Sequence, residues 1–175
     1  MGLLTASQTA EYRENGFVVV PAVFTELELH RLREASTAVL ARCGPLVPQN
    51  PRIQVEPETE SWAVPVVRKI EPVIDESPVF MELANDPKMM SAAADILGEP
   101  VLLFEDKLNF KPPRIGSSYP LHQDRSYWME LAPGIPATDR LVTISVLLDD
   151  ATIENGCLRL VPGDASSDLC HQALA

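Results

Sequence analysis

The sequence predicts an α+β fold in which helices come first and an antiparallel β assembly follows. Three observations carry this. Thr25 followed three residues later by Glu28 is a capping signature that opens an amphipathic helical stretch. Side chains alternate with a period of two in "VLLFEDKLNFKPP" and again in "RLVTISVLLDD". The second of these runs leads through Asn155-Gly156, the strongest short hairpin signal, into "CLRLV". Helices followed by antiparallel strands stack as a sandwich or barrel.

Taken in order, Thr5 and Gln8 form a capping box for a short helix, which Asn15-Gly16 ends by supplying a left-handed residue. The run "FVVV" reads as a buried strand. After Thr25, apolar residues recur at near-helical spacing (Leu29, Leu32, Ala35, Val39, Leu40) up to Cys43-Gly44. Pro45, Pro48, Pro51 and Pro57 exclude regular helix, so residues 45–57 read as a loop. "AVPVVRKI" has the β-branched content of a strand, and Asp86-Pro87 starts a helix that ends at Gly98. In the first alternating run Leu102, Phe104, Leu108 and Phe110 share one face, while Glu105, Lys107, Asn109 and Lys111 share the other; Asp106 is the exception. In the second, Val142, Ile144, Val146 and Leu148 oppose Thr143, Ser145 and Asp149. There is no internal repeat or low-complexity tract.

At 175 residues the chain suits one domain with a real hydrophobic core. Its formal charge of -11 repels phosphate backbones and anionic lipid, which argues against nucleic-acid and membrane partners. Cys43, Cys157 and Cys170 are odd in number and lack zinc-type spacing, so neither a disulfide framework nor a thiolate metal site is expected and a reducing compartment fits. The N-terminus has no basic segment followed by an apolar run, and the most hydrophobic stretch, residues 16–24, is too short to span a bilayer. The expectation is a cytoplasmic protein.

The stretch "YPLHQDRSYW" places His122 and Asp124 one residue apart. On a strand, residues two apart point the same way, so one backbone segment can offer an imidazole and a carboxylate to one ion. Completed by a distant second histidine, such a pair is the facial triad of non-haem Fe(II) oxygenases, which leaves three positions for a chelating 2-oxo acid and O₂. One carboxylate against a dication leaves net positive charge for that anionic co-substrate. The spacing alone is common, and a polar patch between aromatic side chains is the plainer reading of it.

The elements "ENGFVVVPAVF", "VRKIEPV", "FKPPRIGSSYPLHQDRSYW" and "LLDDATIENGCLRLVPG", in that order, resemble the phytanoyl-CoA dioxygenase family of Fe(II)- and 2-oxoglutarate-dependent oxygenases over nearly the whole chain. The resemblance implies N-terminal helices packed on a double-stranded β-helix (jelly-roll, cupin-like) core. It implies His122 and Asp124 as metal ligands on the second or third strand of that core. By position it assigns Lys69, Lys107, Asn109, Thr143 and Ser145 to binding 2-oxoglutarate. Each assignment has a plainer counterpart. The face of Lys107 is equally the solvated side of a sheet, Lys69 beside Arg68 is equally a surface cation, and Trp128 is as apt for core packing as for lining a substrate cavity. Thr143 and Ser145 face the site because their strand's other side is wholly apolar. His30 lies on the exposed side of its helix.

The pattern also breaks. The family needs a second histidine downstream and then an arginine for the distal carboxylate of 2-oxoglutarate. Here "RLVPG" is followed by Asp164-Ala165-Ser166 where the family commonly has Ser-His-Lys, and His171 is the remaining histidine, with no arginine after it. The strand candidates are too few to close a β-helix of about eight strands, so residues 1–175 read as one domain, the N-terminal portion of an incomplete core with open edges. The expected function is a dioxygenase that hydroxylates a small-molecule substrate using Fe(II), O₂ and 2-oxoglutarate. The alternative is a non-catalytic truncated remnant whose copies associate through open sheet edges. A third reading is a cupin-like fold using another metal for isomerisation or hydrolysis. The substrate is not legible, because substrate-contacting positions sit in variable loops.

Overall fold

The computed structural model describes residues 2–43, 50–98, 100–124 and 141–163. Helix α1 (Ala6–Asn15) forms where its capping box predicts: Thr5 Oγ1 accepts from the Gln8 amide at 3.2 Å, and the Thr5 amide donates to Gln8 Oε1 at 2.9 Å. Gly16 closes it with φ +78°, a left-handed value that glycine adopts without a Cβ penalty. Helix α2 (Glu26–Cys43) repeats the device, with the Thr25 amide donating to Glu28 Oε2 at 2.7 Å and the Glu28 amide to Thr25 Oγ1 at 3.3 Å. Its buried residues Leu32, Ala35, Val39 and Cys43 recur every three or four positions, the apolar stripe expected of a core-facing helix. His30 is exposed, near Glu34. Helix α3 (Pro78–Ala84) was not anticipated; Ser77 caps it through the Val79 amide, but seven residues are too few for a helical period to register. Helix α4 (Pro87–Leu97) begins at Asp86, whose side chain accepts from the Lys88 amide at 2.7 Å, and ends at Gly98 as expected.

Three short strands, β1 (Ile53–Val55), β2 (Val67–Ile70) and β3 (Leu108–Asn109), form an antiparallel sheet in the order β1-β2-β3. β1 corrects the loop expected over residues 45–57. The prolines there forbid helix, but a three-residue edge strand between Pro51 and Pro57 loses no ladder bond to them. "FVVV" is a second correction: residues 17–20 form no strand, and Val19 is 70% exposed. β-branched content marks a propensity only, and among the described residues no ladder partner faces this run.

The pairing of β1 with β2 is irregular in one place. Ile53 pairs with Ile70 and Gln54 with Lys69, but Val55 pairs with Val67, so Arg68 is passed over in a one-residue bulge. The bulge allows both Val67 and Ile70 to be buried, and they join Leu32, Ala35, Val39, Cys43, Val73 and Phe80 in one core. Val39 and Ile70 are fully buried.

The alternating runs are partly realised. Val146 and Leu148 pack against the core while Leu147 is exposed, and Leu108 and Phe110 pack against it as their face requires. Leu102 and Phe104, assigned to the same face, are exposed instead. The face divides at Asp106, whose Oδ1 accepts from the amides of Val73 and Ile74 at 2.7 and 2.8 Å. That contact explains the exception in the alternation: a carboxylate on the inward side satisfies two backbone donors of the segment after β2. Asn155-Gly156 lies in a turn, closed by the Cys157 amide on the Thr152 carbonyl at 2.9 Å. It is not a two-residue hairpin, since Gly156 has φ +86° while Asn155 is not among the residues with positive φ. Helices and a small antiparallel sheet form as expected; the described residues do not build a jelly-roll, and 101–107, 141–150 and 157–161 form no strand. Among the described residues no helix is long and apolar enough to cross a membrane.

Asp106→Ala is expected to lower stability by about 2 kcal/mol, since two amides lose a charged acceptor; a urea midpoint that falls with an unchanged slope checks it. A second prediction concerns pH. Lys88 donates to Glu28 Oε1 at 2.7 Å, joining α4 to α2, and this hydrogen bond, with the Thr25 donors, holds the Glu28 carboxyl down at about 2 from its ordinary 4.5. A depressed carboxyl stabilises the fold above its unfolded value and loses that contribution as pH falls from about 4.5 through about 2. Glu28→Gln therefore destabilises the protein at neutral pH, and the difference from wild type vanishes near pH 2, read by thermal unfolding at both ends.

Candidate metal centre

The pleat of the small sheet sets out a row of polar side chains. Lys69 pairs across strands with Gln54 on one side and Asn109 on the other. Beyond the strand ends, Glu71, Lys107 and Glu105 lie beside one another: Glu71 hydrogen-bonds Glu105, and Lys107 feels the charge of both. Lys69 is not the surface cation of the plainer reading: it is 9% exposed and ion-paired with Glu71. Lys107 donates to Glu105 Oε1 at 2.7 Å. Burial works against the Lys107 ammonium, but the carboxylates of Glu105, Asp124 and Glu71 outweigh it and hold its pKa above the ordinary lysine value. The Glu71 carboxyl is pushed up, first by burial and then by the neighbouring Glu105 carboxyl, with Lys69 pulling the other way.

Asp124 connects this row to the histidine. His122 Nε2 lies 3.4 Å from Asp124 Oδ1. Two ligands each about 2.1 Å from one ion lie about 3.0 Å apart at right angles and about 3.4 Å apart at the tetrahedral angle, and the observed separation equals the latter. The far atoms of both groups are held. His122 Nδ1 is 2.7 Å from the Pro120 carbonyl, which can only accept, so Nδ1 carries the proton and a neutral ring keeps its lone pair on Nε2. Thr143 Oγ1 donates to Asp124 Oδ2 at 2.6 Å, leaving Oδ1 on the side of the imidazole. No strand carries the pair: Leu121 makes an isolated β-bridge and Asp124 is already helical. The two groups converge through these anchors and not through the pleat.

The structure thus brings together His122, Asp124 and Thr143, with Lys107 close enough to feel the Asp124 charge and Lys69 and Asn109 on the adjoining row. Ser145 is exposed two residues beyond Thr143. Trp128 and His171 lie outside the described residues. Among the described residues no group of three His, Cys, Asp or Glu side chains could hold a metal ion, so the donor set fits two of a metal's ligands. Burial pushes the Cys43 thiol up, which disfavours a thiolate ligand there. An open cleft of about 600 Å³ lined by Pro87, Met90, Ser91, Pro100 and Val101 contains none of the candidate residues. Glu71 and Glu105 were missed as site neighbours, although their two-residue offsets from Lys69 and Lys107 marked them. Glu56, Arg68 and Tyr119, which meet around Ser117, left no local signal.

Residues 12–171 match the family described as phytanoyl-CoA dioxygenase (PhyH), and the chain belongs to that family. It is 30% identical over 160 residues to an ectoine dioxygenase of Sphingopyxis alaskensis, covering 91% of this chain and 49% of that protein. It is 28% identical over 152 residues to an L-proline trans-4-hydroxylase of Streptomyces griseoviridis, covering 87% and 52%. The fold is similar to the crystal structure of EctD from S. alaskensis with 2-oxoglutarate and 5-hydroxyectoine, at a TM-score of 0.64 and 27% identity over 73% of this chain and 43% of that one. The chain spans about half the length of the curated relatives it matches.

Lys69→Ala is expected to cost about 1–2 kcal/mol, because Glu71 loses its cation and is left beside Glu105. The double variant Lys69→Ala/Glu71→Ala loses less than the sum of the single changes, as a double-mutant cycle in urea reads.

Proposed function

We propose that this chain carries part of the site of an Fe(II)- and 2-oxoglutarate-dependent dioxygenase that hydroxylates a small molecule, with His122 and Asp124 as two of the metal ligands. The carrying observation is the 3.4 Å approach of Nε2 to Oδ1 with both far atoms anchored. Family membership supports it, as do relatives named for the oxygenation of ectoine and the hydroxylation of proline. When bound, Fe(II) supplies the coordination of 2-oxoglutarate and the activation of O₂, converting 2-oxoglutarate to succinate and CO₂ while a substrate C–H becomes C–OH.

The chain's own residues set the conditions for this. Pro120 and Thr143 orient the two ligands. Lys69 and Lys107 offer ammonium groups to the co-substrate's carboxylates, and Asn109, Thr143 and Ser145 offer neutral polar groups beside them. Glu71 and Glu105 offset part of that positive charge. Small zwitterions are the substrate class that the named relatives suggest.

Succinate formation that requires O₂ and Fe(II), by the protein containing this chain, is the expected result, abolished by His122→Ala or Asp124→Ala. Undiminished turnover in either variant rejects the assignment. Thr143→Val, which unties Asp124 without removing a ligand, is expected to lower turnover about 10–100-fold. A second reading, association of copies of this chain without catalysis, is favoured by the exposed apolar side chains of Leu102, Leu103, Leu158 and Leu160. Sedimentation velocity tests it, and a monomer across a wide concentration range excludes it.

A further inference from the structure

The segment that leads to His122 has no regular secondary structure from Gly116 to Pro120, before the isolated bridge at Leu121, so side-chain contacts hold it. Glu56, just after β1, is 2% exposed, and its Oε2 accepts from the Ser117 amide at 2.9 Å and from Ser117 Oγ at 2.8 Å. Arg68, the bulged residue of β2, stands 3.8 Å from the same carboxylate oxygen and donates to Ser117 Oγ. Its guanidinium also lies over the Tyr119 ring, 3.7 Å from the centroid, within cation–π range. Tyr119 precedes Pro120, whose carbonyl holds His122 Nδ1. None of Glu56, Arg68, Ser117 and Tyr119 belongs to the apolar core. A buried carboxylate and an arginine are therefore spent on a loop whose next feature is the histidine.

We propose that Glu56, Arg68 and Tyr119 are positioning residues for the candidate metal centre: they fix the backbone at Tyr119-Pro120 so that the Pro120 carbonyl holds Nδ1–H and Nε2 faces Asp124. The proposal rests on the reading of His122 and Asp124 as a metal pair. The bulge lets Val67 and Ile70 both enter the core while Arg68 turns to Ser117 and Tyr119. The arrangement also separates the role of the Tyr119 ring, which stacks on Arg68, from that of its hydroxyl, which it does not use.

Tyr119 is 47% exposed, so replacing it should leave thermal unfolding of the 175-residue chain unchanged. Two readouts follow, the histidine tautomer by ¹⁵N NMR and Co(II) titration by visible absorption. Wild type and Tyr119→Phe are expected to show His122 as the Nδ1–H tautomer with the same Co(II) affinity. Tyr119→Leu is expected to show mixed tautomers and roughly tenfold weaker Co(II) binding. Glu56→Gln, which keeps an acceptor for Ser117 but loses the charge facing Arg68, shifts both in the same direction. A wild-type tautomer and wild-type Co(II) affinity in Tyr119→Leu overturn the proposal. Co(II) binding undiminished in His122→Ala overturns the metal reading instead, and the tautomer comparison between the Tyr119 variants then decides the positioning role by itself.

Discussion

The one-residue bulge at Arg68 is the constraint on which the described structure turns. In an uninterrupted strand, residues three apart face opposite ways, so Val67 and Ile70 could not both enter the core. Passing over Arg68 reverses the phase once. Val67 and Ile70 then bury together with the stripe of α2, and the two intervening cations are sent elsewhere, Lys69 to Glu71 and Arg68 to Ser117 and Tyr119. The same backbone kink that completes the core thus sends one cation to the Glu71 carboxylate and the other to the loop that precedes His122.

Electrostatic order follows from that aim. An acidic chain of net charge -11 still concentrates two lysines on one sheet face, each matched by a carboxylate two residues away along its own segment. Pairing limits the rotamers of long side chains that would otherwise sweep a wide volume. It also gives the nearly buried Lys69 ammonium a hydrogen-bonded partner in Glu71.

The arrangement of His122 and Asp124 depends on restraints behind the two side chains. A proline carbonyl and a threonine hydroxyl hold the far atoms of His122 and Asp124, and a buried carboxylate stands behind the loop that carries them. Such outer contacts limit the rotamers open to the two side chains. Asp106 plays a comparable part for the backbone after β2, where its carboxylate takes up two amides that no strand satisfies.

Sequence by itself determined the features with short-range causes. The capping boxes at Thr5 and Thr25, the left-handed Gly16, the cap and proline at Asp86-Pro87, the buried stripe of α2 and the candidacy of His122 with Asp124 were all legible, because each is decided by residues within about one or two helical turns of one another. Tertiary structure decided the rest: that "FVVV" has no ladder to join, that a strand fits between Pro51 and Pro57, that the face of Leu102 and Phe104 departs from that of Leu108 and Phe110, and that Glu56 meets Ser117 sixty-one residues away. The physical reason is one of range. Caps and periodicity act on neighbouring dihedrals, whereas register, bulges and buried charge pairs acquire their energy only when distant segments meet.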